Sequence, residues 1–191
     1  QFSASGRDVG ALPEVANVDV RAQCANDFRA FCENYFPQTF TIAWSPDHLT
    51  VIARIEQAVL HGGLFAPAMP RASGKTTLAE IACLWAVLYG HREFVCLIGA
   101  SEAHAAEMLD SLKAELEGNE LLEADFPAVC VPIKKLDGIA NRCAGQTCQG
   151  VRTHISWTTT EIVLPTIKGS AAAGAIVKTA GLTGRIRGMK F

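Results

Sequence analysis

Residues 67–85 read PAMPRASGKTTLAEIACLW, and the rest of the chain is interpreted from them. Gly74-Lys75-Thr76 has the form of the end of a phosphate-binding loop, set between a short apolar run and an amphipathic stretch. A nucleoside triphosphate needs backbone N–H groups converging on its oxygens, a cation on its β and γ groups, and a hydroxyl for magnesium. Gly74 lets the backbone come close, Lys75 supplies the cation and Thr76 the hydroxyl, with Thr77 a further donor. Met69 stands where such a loop usually carries its first glycine, followed by Pro70 and Arg71. The first turn of the loop therefore cannot depend on a left-handed backbone at position 69. The plainer reading is an ordinary helix start with an exposed lysine; an expected strand before the tripeptide and a helix after it favour the nucleotide loop.

Outward from the loop, the downstream helix is expected from about Lys75 to Tyr89, with Leu78, Ile81, Ala82, Trp85 and Tyr89 inward and Gly90 closing it. Upstream, Leu64 to Ala68 is expected as a short buried strand. Ser45-Pro46 starts a helix whose inward residues are Leu49, Ile52, Ala53, Val59 and Leu60, ending at Gly62-Gly63. NYFPQTFTIAWS (34–45) reads as a turn and an aromatic-rich extended stretch. A single helix is expected over 20–34, with Cys24, Phe28, Phe31 and Cys32 on one face. Residues 1–19 read as a flexible lead-in.

Downstream, EFVCLIG (93–99) is a continuous apolar run, as in a strand buried on both faces. Ser101 caps a helix with Ala105, Met108, Leu109, Leu112 and Leu116 inward, up to Gly118-Asn119. DFPAVCVPI (125–133), with two prolines, reads as an edge or connecting segment, and 137–150 as a surface loop. THISWTTTEIVLP (153–165) suggests two short strands or a hairpin, and AIVKTAG (175–181) one more strand. The expected fold is α/β, a P-loop NTPase-type parallel-sheet core flanked by helices, as a partial domain over 20–191.

Apolar residues make up 49% of the 191 and charged residues 19%, a globular composition. The longest purely apolar run, Ile81 to Leu88, is too short for a bilayer, so no membrane is expected. Seven cysteines scattered in apolar contexts point to free thiols in a reducing, cytoplasmic compartment. The chain starts at Gln1 without an initiator methionine and reads as part of a longer protein. Of the net charge of −2, the last thirty residues carry +5 and no acid, leaving −7 elsewhere. Such a tail can face phosphate, or simply water.

PRASGKTT (70–77), preceded by GGLFAPAM (62–69), resembles the altered Walker A loop of large terminase subunits, the ATP-driven motors that package viral DNA. The likeness extends through NYFPQTFTIAWSPDHLTVIARIEQAV (34–59), LWAVLYGHREFVCLIGAS (84–101), ELEGNELLEADFP (115–127) and GLTGRIRGMKF (181–191). The resemblance implies ATP and Mg²⁺ as cofactors, held by Pro70, Arg71, Ala72, Ser73, Gly74, Lys75, Thr76 and Thr77, with Thr76 on the metal. It gives Lys75 and Arg71 catalytic contacts to the phosphates, and makes Arg187 a finger reaching a neighbouring subunit. His48, beside Trp44, occupies the place where such motors carry an adenine-reading glutamine. The implied partners are double-stranded DNA, further copies of the chain in a ring, a portal and a small terminase subunit. The implied location is the cytoplasm of a host cell.

Hydrolysis needs a carboxylate on a neighbouring strand, and no apolar run here ends in Asp-Asp or Asp-Glu. In the family that Walker B strand, and then an acidic nuclease domain, would follow beyond Phe191. The expectation is a piece that binds nucleotide better than it hydrolyses it and does not cut DNA. A helicase-type motor lobe using Gly99-Ala100-Ser101 on a nucleic-acid backbone, a non-catalytic nucleotide-binding or assembly module, and a small-molecule kinase are the rival readings. Cys130, Cys143, Cys148 and His154 lack paired zinc-site spacing and are read as scattered thiols and a histidine.

Overall fold

The computed structural model describes residues 7–182. Arg187, with Arg185 and Lys190, lies outside them. In place of one helix over 20–34 there are two, α1 (Val18–Cys24) and α2 (Phe28–Tyr35). The break follows from Asp27, whose carboxylate accepts from the Ala30 N–H at 2.8 Å and caps α2. The expected inward face survives the break, for Cys24, Phe28, Phe31 and Cys32 are all fully buried.

Helix α3 (Pro46–His61) begins as its sequence indicates, with Ser45 accepting from the His48 N–H and Gly62 ending it at φ 83°. Its buried residues are Ile52 and Ile55, while Leu49 and Ala53 are exposed. Helix α4 (Lys75–Leu88) is followed by β1 (Phe94–Gly99) and by α5 (Glu102–Gly118), which Ser101 caps. Next come α6 (Glu120–Asp125) and α7 (Pro127–Lys134). The last of these occupies the stretch expected as an edge segment. Pro127 suits the first helical position, and the carbonyl of interior Pro132 accepts from Gln146 Nε2 at 2.9 Å.

The expected surface loop 137–150 contains a 3-10 turn (Ala140–Cys143) and β2 (Thr147–Cys148), which pairs with β3 (Val151–Arg152). Gln149 and Gly150 close that hairpin with φ of 52° and 76°, the left-handed pair that a two-residue turn demands. Strands β4 (Ser156–Trp157) and β5 (Glu161–Val163) form the second hairpin, and β6 (Ile176–Gly181) follows.

The main sheet has the order β1-β6-β5-β4. Only β1 and β6 run parallel; β6–β5 and β5–β4 are antiparallel, so the sheet is mixed. The short 158–160 connection imposes this at one end, because a tight turn can join only antiparallel neighbours. Leu64 to Ala68 forms no strand, and Leu64 is fully exposed. No strand among the described residues lies alongside that run, and without a partner its backbone polar groups face water. Ile98, on β1, is 49% exposed, so that strand is less enclosed than its apolar run suggests. Among the described residues no helix is long and apolar enough to cross a membrane.

The described part of the segment expected as a lead-in, from Arg7 on, is tied to the body at both of its ends. Val9 N–H donates to the Thr147 carbonyl at 2.7 Å, and Arg7 Nη1 to the Ala144 carbonyl at 2.7 Å. Asn17 N–H donates to the buried carboxylate of Asp125 at 2.7 Å, whose other oxygen accepts from the Tyr35 hydroxyl at 2.8 Å.

Gly99 and Gly181 face each other where β1 and β6 end, against the first turn of α5. A Cβ on Gly99 would sit 2.6 Å from the Ala105 nitrogen, and one on Gly181 would sit 2.7 Å from the Glu102 nitrogen. Gly99→Ala and Gly181→Ala are each expected to cost about 1–3 kcal/mol in chemical denaturation. Gly118→Ala, in open space at the end of α5, is expected to be neutral or to gain up to about 1 kcal/mol.

His91 gives a second test. Its Nε2 lies 2.7 Å from the Ala25 carbonyl, and burial holds its pKa below the ordinary value. The folded chain thus binds fewer protons here than the unfolded chain, so stability falls as pH drops below about 6.5. The loss in melting temperature between about pH 7.5 and 5.5 is expected to be smaller in His91→Gln than in the parent.

Candidate functional site

Gly74 precedes α4 in the left-handed conformation, at φ 75° and ψ 14°. Gly74 has no side chain with which to cap this helix and no acid stands in its first turn, whereas α3 and α5 have a serine cap and an acid in that turn. The first backbone N–H groups of α4 therefore point outward with the positive end of the helix dipole unshielded.

The loop before it closes around Lys75. Lys75 Nζ donates to the carbonyls of Met69 at 3.0 Å and Pro70 at 2.7 Å, so residues 69–74 encircle the ammonium. An ammonium has three donors, and two are used here, leaving one for an anion. Met69 is not among the left-handed residues; besides Gly74, it is Ala72 that turns the loop, at φ 61°. Ser73 Oγ is buried without a hydrogen-bond partner among the described residues. A buried orphan hydroxyl is costly unless something fills its valence.

Of the expected ligands, Arg71 and Thr76 are exposed and Thr77 is half-buried. Pro70 is exposed, and its carbonyl is engaged by Lys75. His48 is brought to the loop, with Nε2 2.9 Å from the Ser73 carbonyl oxygen and Nδ1 2.7 Å from Ser45 Oγ. Arg187 lies outside the described residues.

Between these groups is a cavity of about 280 Å³. One wall is Ala72, Ser73, Gly74 and Thr77; the other is the segment from Thr39 to Trp44. Within that segment the Phe40 and Trp44 rings pack at 4.7 Å. Trp44 Nε1 donates to Glu33 Oε1 at 2.7 Å, and the hydrogen bond from Arg29 to that carboxylate holds its pKa below the usual range. The sequence marked Trp44 and His48, but not Thr39 to Ala43. Its only signal was an aromatic-rich extended stretch abutting a helix cap.

Glu80, on α4 below Thr77, borders a smaller cleft with Ser111 and Glu115, and burial raises its pKa. The seven cysteines are free thiols. Burial pushes the thiols of Cys83 and Cys130 up to about 12 and that of Cys24 to about 11, which leaves them protonated and unreactive. Among the described residues no three His, Cys, Asp or Glu side chains gather as a metal site would need.

Ala72 supplies a test of the loop geometry. A left-handed alanine costs about 1–2 kcal/mol, so Ala72→Gly is expected to raise the melting temperature despite its added chain entropy. A lowered melting temperature would count against a left-handed Ala72. No family profile, curated protein or solved structure matches the chain.

Proposed function

We propose that the chain is the ATP-binding part of a DNA-packaging motor of the large-terminase type. The observation that carries the nucleotide reading is the loop 69–74 folded round the Lys75 ammonium, directly before an uncapped helix start. Backbone N–H groups and one remaining ammonium donor are available there to a triphosphate, and Arg71 stands exposed in the same loop. Thr76 offers its hydroxyl to Mg²⁺, whose remaining ligands are phosphate oxygens and water, as is usual for this ion. The cavity beside the loop, with Trp44 and Phe40 in its wall, has room for the base.

The motor reading rests on the sequence resemblance. It includes a P-loop parallel core extended by further strands, a ring of subunits with a portal and a small terminase subunit, Arg187 as the intersubunit finger, and duplex DNA as cargo. Hydrolysis would require a carboxylate on a neighbouring strand to hold the magnesium.

The test is calorimetric titration of the chain with ATP and Mg²⁺. Binding is expected, with Lys75→Ala weakening it at least tenfold while the melting temperature without nucleotide falls only slightly. Absence of binding by the folded parent chain would sink the nucleotide reading. Binding that survives Lys75→Ala would remove the loop from it.

A further inference from the structure

We propose that His48 is a positioning residue of the loop 69–74, holding the Ser73–Gly74 peptide, and not a reader of the nucleotide base. The proposal rests on the nucleotide-binding reading above. The Ser73 carbonyl oxygen, 2.9 Å from His48 Nε2, can only accept, so Nε2 carries the proton. In the neutral ring Nδ1 is then an acceptor, and the Ser45 hydroxyl at 2.7 Å donates to it. Ser45 Oγ in turn accepts from the His48 backbone N–H at 3.3 Å. Both ring nitrogens are therefore spent on the protein, and none is left for the edge of a base in the adjoining cavity.

What the histidine holds is as informative as what it lacks. In a trans peptide the carbonyl and the following N–H point in opposite directions. Fastening the Ser73 oxygen to His48 thus orients the Gly74 N–H, the last loop amide before α4 and one of those an anion would meet there. The Ser45 hydroxyl caps α3 and also orients the ring, so the start of α3 and the start of α4 are coupled through one imidazole.

The two roles predict different losses. The parent, His48→Ala and His48→Gln are titrated with Mg²⁺ complexes of ATP, GTP and inorganic tripolyphosphate. His48→Ala is expected to weaken all three by the same factor, about tenfold. His48→Gln, whose amide nitrogen reaches about as far as Nε2, is expected to recover most of that loss for all three. A loss confined to ATP, with tripolyphosphate unaffected, would make His48 a base reader and overturn the proposal. Failure of glutamine to recover affinity in a variant that melts like the parent would also overturn it. A long-range proton–nitrogen spectrum of the parent, independent of any variant's folding, is expected to show the Nε2–H tautomer; the Nδ1–H tautomer would overturn the arrangement. If the folded parent binds none of the three ligands, the nucleotide reading itself fails, and this inference falls with it.

Discussion

The indole N–H of Trp85 donates to the carbonyl of Cys24 at 2.8 Å, between two fully buried residues. Cys24 is the last residue of α1, so its carbonyl is one that its own helix cannot satisfy. The bond joins the break between α1 and α2 to the last turn of α4. The Phe28 ring, at the start of α2, packs 5.3 Å from the indole, and His91 lies 4.8 Å away on another side. From Leu84 to Leu88 every residue of α4 is buried, so the C-terminal end of the helix is clamped all round. Its other end is thereby free to stand open at the glycine loop without the helix losing its place. The exposure of the candidate site and the rigidity behind it have the same origin.

Features written in a few adjacent residues were legible. Ser45-Pro46, Gly62, Gly90, Ser101 and the alternation around Trp157 and Ile162 mark helix ends and a hairpin that the structure contains. These are local effects, depending on one side chain and the backbone beside it. The two apolar runs misread, 64–68 and 125–133, carry no period that separates strand from helix. The first lacks a pairing partner among the described residues, and the second is decided by Pro127 at a helix start. The mixed sheet was not legible either, because pairing direction arises between segments far apart in the chain.

The site divides in the same way. Lys75, Gly74 and the bare first turn of α4 follow from a short motif and can be read in order. The wall from Thr39 to Ala43, and the link from Ser45 through His48 to Ser73, join parts of the chain about 30 residues apart in sequence. Nothing in either part alone announces the other. His48 was marked for standing where the resembled motors carry an adenine-reading glutamine; its contacts to Ser45 and Ser73 depend on the fold and could not be read from that position.

The strap formed by residues 7–17 has a kinetic consequence. Arg7 bonds to Ala144 across 137 positions, and the Cys148 thiol to the Gly10 carbonyl across 138. Closing so long a loop costs entropy that no neighbouring contact repays in advance. The strap is therefore expected to dock after the helices and the main sheet have assembled. The Asp125 carboxylate, meanwhile, has Tyr35 from the body but must wait for Asn17 to complete its shell. The last step of folding would then be the arrival of residues 7–17.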